Sequence, residues 1–223
     1  MANIDTVFVD VGGVLLLPPP EAAWTALGAE APLDLQAHRR AHVEGMVGYD
    51  RSEGVWREYL LGFCRGYDVP PENLEPTVNA LQQTLERIPW SVVDEQSRRG
   101  LRALSEHGYR LAIVSNSDGT IERQLRFFEI CQTGEGGGVC VDAVIDSHIL
   151  GLAKPDPAIF HHVLGLLGAD AARAAHIGDS VHADVGGARA AGVRPVHFDP
   201  LRRCDDSDHE HVHDLADVAA MLG

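Results

Sequence analysis

Thr6-Val7-Phe8-Val9-Asp10-Val11-Gly12-Gly13-Val14-Leu15 sets the architecture expected of the chain. Its first four residues are apolar or β-branched and read as a short buried strand. The run stops at a carboxylate, and two glycines follow. A strand that ends this way opens into a tight turn where the backbone can approach a ligand. Downstream, Pro18-Pro19-Pro20 can neither extend a strand nor sit inside a helix, and reads as a linker.

From Glu21 to about Arg87 the periodicity is helical. It is clearest in Trp56, Tyr59, Leu60, Phe63 and Tyr67, spaced by three and four. After Ile88-Pro89-Trp90 the chain alternates between strand and helix. Helix is predicted over 93–107, stopping at Gly108, and a strand over 110–114 ends in Ser115-Asn116-Ser117. Helix 121–128, a glycine loop at 134–138, strand 141–145 and helix 158–167 follow. Strand 174–177 ends at Gly178-Asp179, and helix 182–191, strand 196–198 and helix 215–222 close the pattern. This alternation predicts an α/β fold, a Rossmann-like doubly wound parallel sheet with an inserted helical bundle. The predicted core is 1–17 with 89–223, and the insertion is 18–88. In such sheets ligands bind beyond the C-terminal strand ends. Asp10, Ser115 and Asp179 occupy that position, and Lys154 lies shortly after another strand.

The 223 residues carry a net charge of −15, from 18 Lys+Arg against 33 Asp+Glu. That balance repels phosphate backbones and anionic membranes, so neither nucleic acid nor membrane is an expected partner. An anionic small molecule remains accessible if a metal or a local cation reverses the field. Of the 18 basic residues 17 are arginine, and Lys154 is the only lysine. Cys64, Cys131, Cys140 and Cys204 have no zinc-binding spacing and make no disulfide scaffold. They are read as reduced. The opening residues lack the basic start of a signal peptide, so a cytoplasmic protein is expected.

On the predicted rim stand Asp10, Asp179, Asp184 one turn later, the Ser115 hydroxyl and the Lys154 ammonium. Clustered carboxylates call for a cation, and hard oxygen ligands with open positions suit Mg2+. A lysine beside them neutralises a phosphoryl group or a nucleophile. The site so described handles phosphoryl groups.

The chain resembles the haloacid dehalogenase superfamily. The likeness rests on four motifs in order: Val7–Leu15; Ile113-Val114-Ser115-Asn116; Lys154-Pro155-Asp156-Pro157; and Ile177-Gly178-Asp179-Ser180 with Asp184. It implies that Asp10 is the nucleophile, and that Ser115 and Lys154 act with it. It also implies phosphate contacts from Gly12, Gly13, Ser115, Asn116 and Lys154. The metal set is Asp10, the carbonyl of Gly12, Asp179 and Asp184, holding Mg2+. The 18–88 insertion resembles the family's small helical cap. The implied activity is hydrolysis of a small phosphorylated metabolite through an aspartyl-phosphate on Asp10. The oligomeric state is left open, a homo-oligomer included.

One departure matters. Most phosphatases of this family have aspartate two residues after the nucleophile, and here Gly12 stands there. Three readings follow: a phosphatase for substrates with good leaving groups, a carbon–halogen hydrolase, or a weakly active binding protein. Candidate replacements for the lost acid are His148, His182 or a side chain of the 18–88 insertion. Chemistry that uses a cap lysine is excluded, because residues 18–88 contain none. His209, His211 and His213 alternate within Asp205–Asp214, a pattern compatible with a transition metal. The stretch is read instead as a solvated lead into the last helix. Trp24, Trp56 and Trp90 are read as packing residues.

Overall fold

The computed structural model describes residues 3–28 and 34–223. Two compact units are formed by Met1–Leu15 with Val93–Gly223, and by Leu16–Val92. The first holds a six-stranded parallel sheet. Its strands are β1 (Thr6–Val9), β2 (Arg110–Ser115), β3 (Ala143–Asp146), β4 (Ala174–Gly178), β5 (Arg194–Phe198) and β6 (Glu210–Val212). The order across the sheet is β6-β5-β4-β1-β2-β3. The chain builds outward from β1 through β2 to β3, then returns to the other side of β1 for β4. That reversal opens a crevice between the ends of β1 and β4, where α/β sheets bind ligands.

Apolar runs explain why these strands lie inside. All four residues of β1 and all five of β4 are buried. Phe8, Val114, Ile159, Phe160 and Val163 share one core cluster, in which helix Pro157–Leu167 covers one face. Helix Glu95–Glu106 starts on Asp94, whose side chain accepts from the Gln96 and Ser97 amides. It packs tightly at Gly100, where a Cβ would sit 2.6 Å from Leu215 Cβ.

Two expectations change. The helix expected over 182–191 starts as a π-helix at Val181–Gly186 and becomes α-helical at Gly187–Ala190. The stretch read as solvated contains β6, which pairs parallel with β5 through Glu210↔Val196, His211↔His197 and Val212↔Phe198. Val212 and His209 are buried. Polar residues occupy most of this segment, so no apolar alternation announces the strand.

The second unit contains helices Pro20–Leu27, Leu35–Arg51, Trp56–Gly66 and Leu74–Leu85. The middle two pack through glycines: a Cβ on Gly62 would lie 2.3 Å from the Glu44 carbonyl oxygen, and one on Gly48 2.4 Å from that of Glu58. Their shared core is Ala41, Tyr59, Leu60, Phe63, Val78 and Leu81. Trp90 lies 5.5 Å from the His42 ring, but Trp56 is exposed and stacks on Tyr59 at 4.4 Å. The Trp24 side chain lies outside what the structure describes.

His42 is buried in this core with Nδ1 3.0 Å from the Tyr59 hydroxyl. Burial, then the Arg39 charge, pushes its pKa from 6.5 to about 3. Because the unfolded chain protonates near 6.5, the native unit keeps a neutral imidazole at a cost that grows as pH falls from there towards 3. Stability present above 6.5 is therefore lost on acidification. Urea unfolding followed by tryptophan fluorescence is expected to show this. Between neutral pH and about pH 4, His42→Phe should lose about 3 kcal/mol less stability than wild type.

Candidate active site

Three strand ends and one loop build the rim. Asp10 follows β1 directly, and its amide donates to the Ile177 carbonyl at 2.9 Å. Ser115 is the last residue of β2 and is buried. Asp179 follows β4. Lys154 arrives on the loop before helix Pro157–Leu167. Gly13 adopts a φ of +71°, a conformation that a side chain would strain.

The Lys154 ammonium is the hub. Its Nζ lies 2.7 Å from Asp10 Oδ1 and 2.6 Å from Asp184 Oδ1, and the side chain is 2% exposed. Asn116 fixes the lysine from behind. Its Nδ2 donates to the Lys154 carbonyl and its Oδ1 accepts from the Lys154 amide, each at 2.8 Å. The Asn116 side-chain amide is thus engaged with the Lys154 backbone.

Asp184 is held on both oxygens. Oδ1 also receives His176 Nε2 at 2.8 Å, and Oδ2 accepts from the Ser180 amide at 3.0 Å. Its carboxylate presses on Gly178, where a Cβ would fall 2.1 Å from Asp184 Cγ. That close approach explains the glycine before Asp179. Asp10, Asp179 and Asp184 each offer an oxygen within 4.8 Å of the others'.

The charges follow from this packing. Burial, partly offset by Lys154 and reinforced by Asp184 and Asp179, pushes the Asp10 carboxyl up to about 6. Burial opposes ionisation of Asp184 too, but Lys154 and His176 outweigh it and hold its pKa well below the usual range. Burial likewise disfavours the Lys154 ammonium, yet Asp10 and Asp184 keep its pKa above the ordinary lysine value.

Two contributors were missed in the sequence. His176 is a lone polar residue inside the apolar run Ala174-Ala175-His176-Ile177, and it braces Asp184. Asp146 ends β3 as Asp10 follows β1, so the same strand-then-aspartate signal marked it. Its buried carboxylate accepts from the amides of Gly119, Ile121 and His148 and shapes the loop after Ser115. Of the candidate acids, His148 is exposed and His182 half-buried.

A family model described as haloacid dehalogenase-like hydrolase matches residues 4–192. The chain belongs to the haloacid dehalogenase-like hydrolases. This hydrolase is 31% identical over 161 residues to the mouse haloacid dehalogenase-like hydrolase domain-containing protein 3, covering 69% of the chain and 61% of that relative. It is 33% identical over 112 residues to the ribulose-1,5-bisphosphate 5-phosphatase of Halopiger xanaduensis, covering 50% and 44%. The chain thus spans about half to three-fifths of the length of these relatives. Among solved structures, the HAD phosphatase of Thermococcus onnurineus aligns over 99% of the chain and 98% of its own, with a TM-score of 0.59 and 21% identity. The 2-haloacid dehalogenase of Pseudomonas syringae pv. Tomato aligns over 98% of each chain, with 0.58 and 20%. These two show the shared fold of the hydrolase, and the fold serves both chemistries. No helix among the described residues is long and apolar enough to cross a membrane.

Proposed function

We propose that this hydrolase cleaves small phosphate monoesters through Asp10. The reading is carried by one observation. Three carboxylates converge at the β1/β4 crevice around a single ammonium, which touches Asp10 and Asp184.

In the proposed reaction an Asp10 oxygen attacks phosphorus. A new O–P bond forms, and the bond to the leaving oxygen breaks. Water then cleaves the aspartyl-phosphate and returns the carboxylate. Lys154 balances negative charge on Asp10 and on the transferred group throughout. Asn116 holds the lysine backbone, and His176 and Ser180 hold Asp184, which aims the ammonium. Ser115 and the turn at Gly13 would meet phosphoryl oxygens.

The donor set fits Mg2+. Three carboxylates against one ammonium leave uncompensated negative charge, and the available ligands are hard oxygens. Asp10, Asp179 and the Gly12 carbonyl would hold the ion, and Asp184 would add charge. When bound, the ion would neutralise charge on the phosphoryl group. A carbon–halogen substrate would use only Asp10 of this set, as the nucleophile at carbon, and would leave a metal-holding Asp179 without a role.

Gly12 offers no acid to the leaving group, and such help is worth about 10²–10⁴ in rate. Substrates whose leaving oxygen needs less protonation are therefore favoured: anomeric sugar phosphates and acyl phosphates. A panel at saturating magnesium should show kcat/KM at least ~10-fold higher for sugar 1-phosphates than for sugar 6-phosphates. Equal or reversed preference would reject the leaving-group argument. No turnover of any member, para-nitrophenyl phosphate included, would reject the phosphatase reading itself.

A further inference from the structure

We propose that His197, Cys204, His209 and His211 form a second metal site, of the thiolate–imidazole class that takes Zn2+. They offer one ligand atom each, all within 4.8 Å of one another. The topology explains the convergence. His197 on β5 and His211 on β6 are register partners, so their side chains leave the same face of the sheet. Cys204 and His209 come from the connection between those strands.

Two of the ligand–ligand distances come close to the edges of a tetrahedral site. Zinc bonds of about 2.0 Å to nitrogen and about 2.3 Å to sulfur imply edges of ~3.3 Å for N···N and ~3.5 Å for N···S. His197 Nδ1 and His209 Nε2 are 3.3 Å apart, and Cys204 Sγ is 3.8 Å from the same Nε2.

The outer nitrogens point to the same conclusion. His197 Nε2 lies 3.2 Å from the Asp179 carbonyl, His211 Nε2 2.8 Å from the Asp206 carbonyl, and His209 Nδ1 2.6 Å from Asp208 Oδ1. Each of these oxygens only accepts, so each imidazole donates outward and turns its lone pair inward. Metal-bound histidines are held in this way. Asp208 is itself fixed, by Arg189 Nη1 at 3.1 Å. Two inward lone pairs at 3.3 Å repel in a buried setting unless something positive joins them. One proton would join only the histidine pair, whereas a metal takes all four ligands at once.

The chemistry separates this site from the carboxylate rim. Thiolate and imidazole select zinc or other late divalent ions over magnesium. His213, grouped with His209 and His211 by the sequence pattern, is not a member of this set. Its Nδ1 points to the Asp199 carbonyl. A filled site would clamp the β5–β6 connection and, through His197, steady the backbone of Asp179.

Cobalt(II) titration of the full chain, without a polyhistidine tag and stripped by chelator, tests this. Excess magnesium is present to occupy the rim. One equivalent should produce intense visible bands of a tetrahedral ion and a near-ultraviolet thiolate-to-cobalt band, both erased by zinc. Cys204→Ser should lose the thiolate band, His209→Ala should bind at least tenfold more weakly, and Asp179→Asn should keep the full spectrum. The proposal is overturned if wild type shows no thiolate band, if that band survives Cys204→Ser, or if Asp179→Asn abolishes it. As a readout that needs no variant, zinc should raise the melting temperature of wild type by several degrees. An unchanged melting temperature under saturating zinc counts against the site.

Discussion

Asp10→Asn is expected to lower kcat on the preferred phosphate ester by at least ~10⁴-fold, or about 5 kcal/mol of barrier, with the melting temperature unchanged or raised. An amide cannot form the O–P bond, so the proposed covalent route closes. The stability half follows from the local electrostatics. The Asp10 carboxyl is pushed up to about 6 because it is buried and close to two further carboxylates, despite its 2.7 Å contact with Lys154. A neutral amide of the same shape removes that repulsion. Lys154 keeps Asp184 at 2.6 Å as its counter-ion. Sites arranged for chemistry often carry strain that an inactive isostere relieves. Steady-state turnover with magnesium, paired with thermal denaturation, checks both halves. An active variant would remove Asp10 as nucleophile. A folded variant that has lost activity excludes the explanation that the substitution merely unfolds the protein.

Much of the rim was legible because its signal is local. Val9-Asp10, Val114-Ser115 and Ile177-Gly178-Asp179 each show an apolar strand stopping at a polar residue. A parallel sheet brings such stops to one edge. Asp146 carries the same mark after Ala143-Val144-Ile145, but its work is to accept backbone amides, which only the folded loop reveals. His176 faces Asp184 across eight residues of chain and a π-helical turn, a geometry that a 3.6-residue period does not describe. The β6 strand was hidden for another reason. Its Glu210-His211-Val212 is mostly polar, and it is ordered by pairing with β5 rather than by an apolar face. The same pairing brings His197 to His211, fourteen residues along the chain, so the thiolate–imidazole cluster cannot be found from cysteine spacing alone.

Lys154→Arg is expected to reduce kcat by about 10²–10³-fold, although arginine supplies every other cation in the chain. The reason is shape. The ammonium sits between Asp10 Oδ1 and Asp184 Oδ1 at 2.7 and 2.6 Å, in a space that leaves the side chain 2% exposed. A guanidinium is planar, larger and pre-arranged to grip one carboxylate with two donors. It would pair with one aspartate, leave the other, and displace the oxygen that must reach phosphorus. The added volume in a packed position costs about 1–3 kcal/mol of stability as well. Lys154→Met separates charge from volume. It fits the space but leaves two buried carboxylates without their cation, a loss of about 3–5 kcal/mol. Melting temperatures should therefore fall further for Met than for Arg, while both variants lose turnover. An arginine variant with wild-type kcat would show that charge alone is needed at this position, and that the compact ammonium is no part of the mechanism.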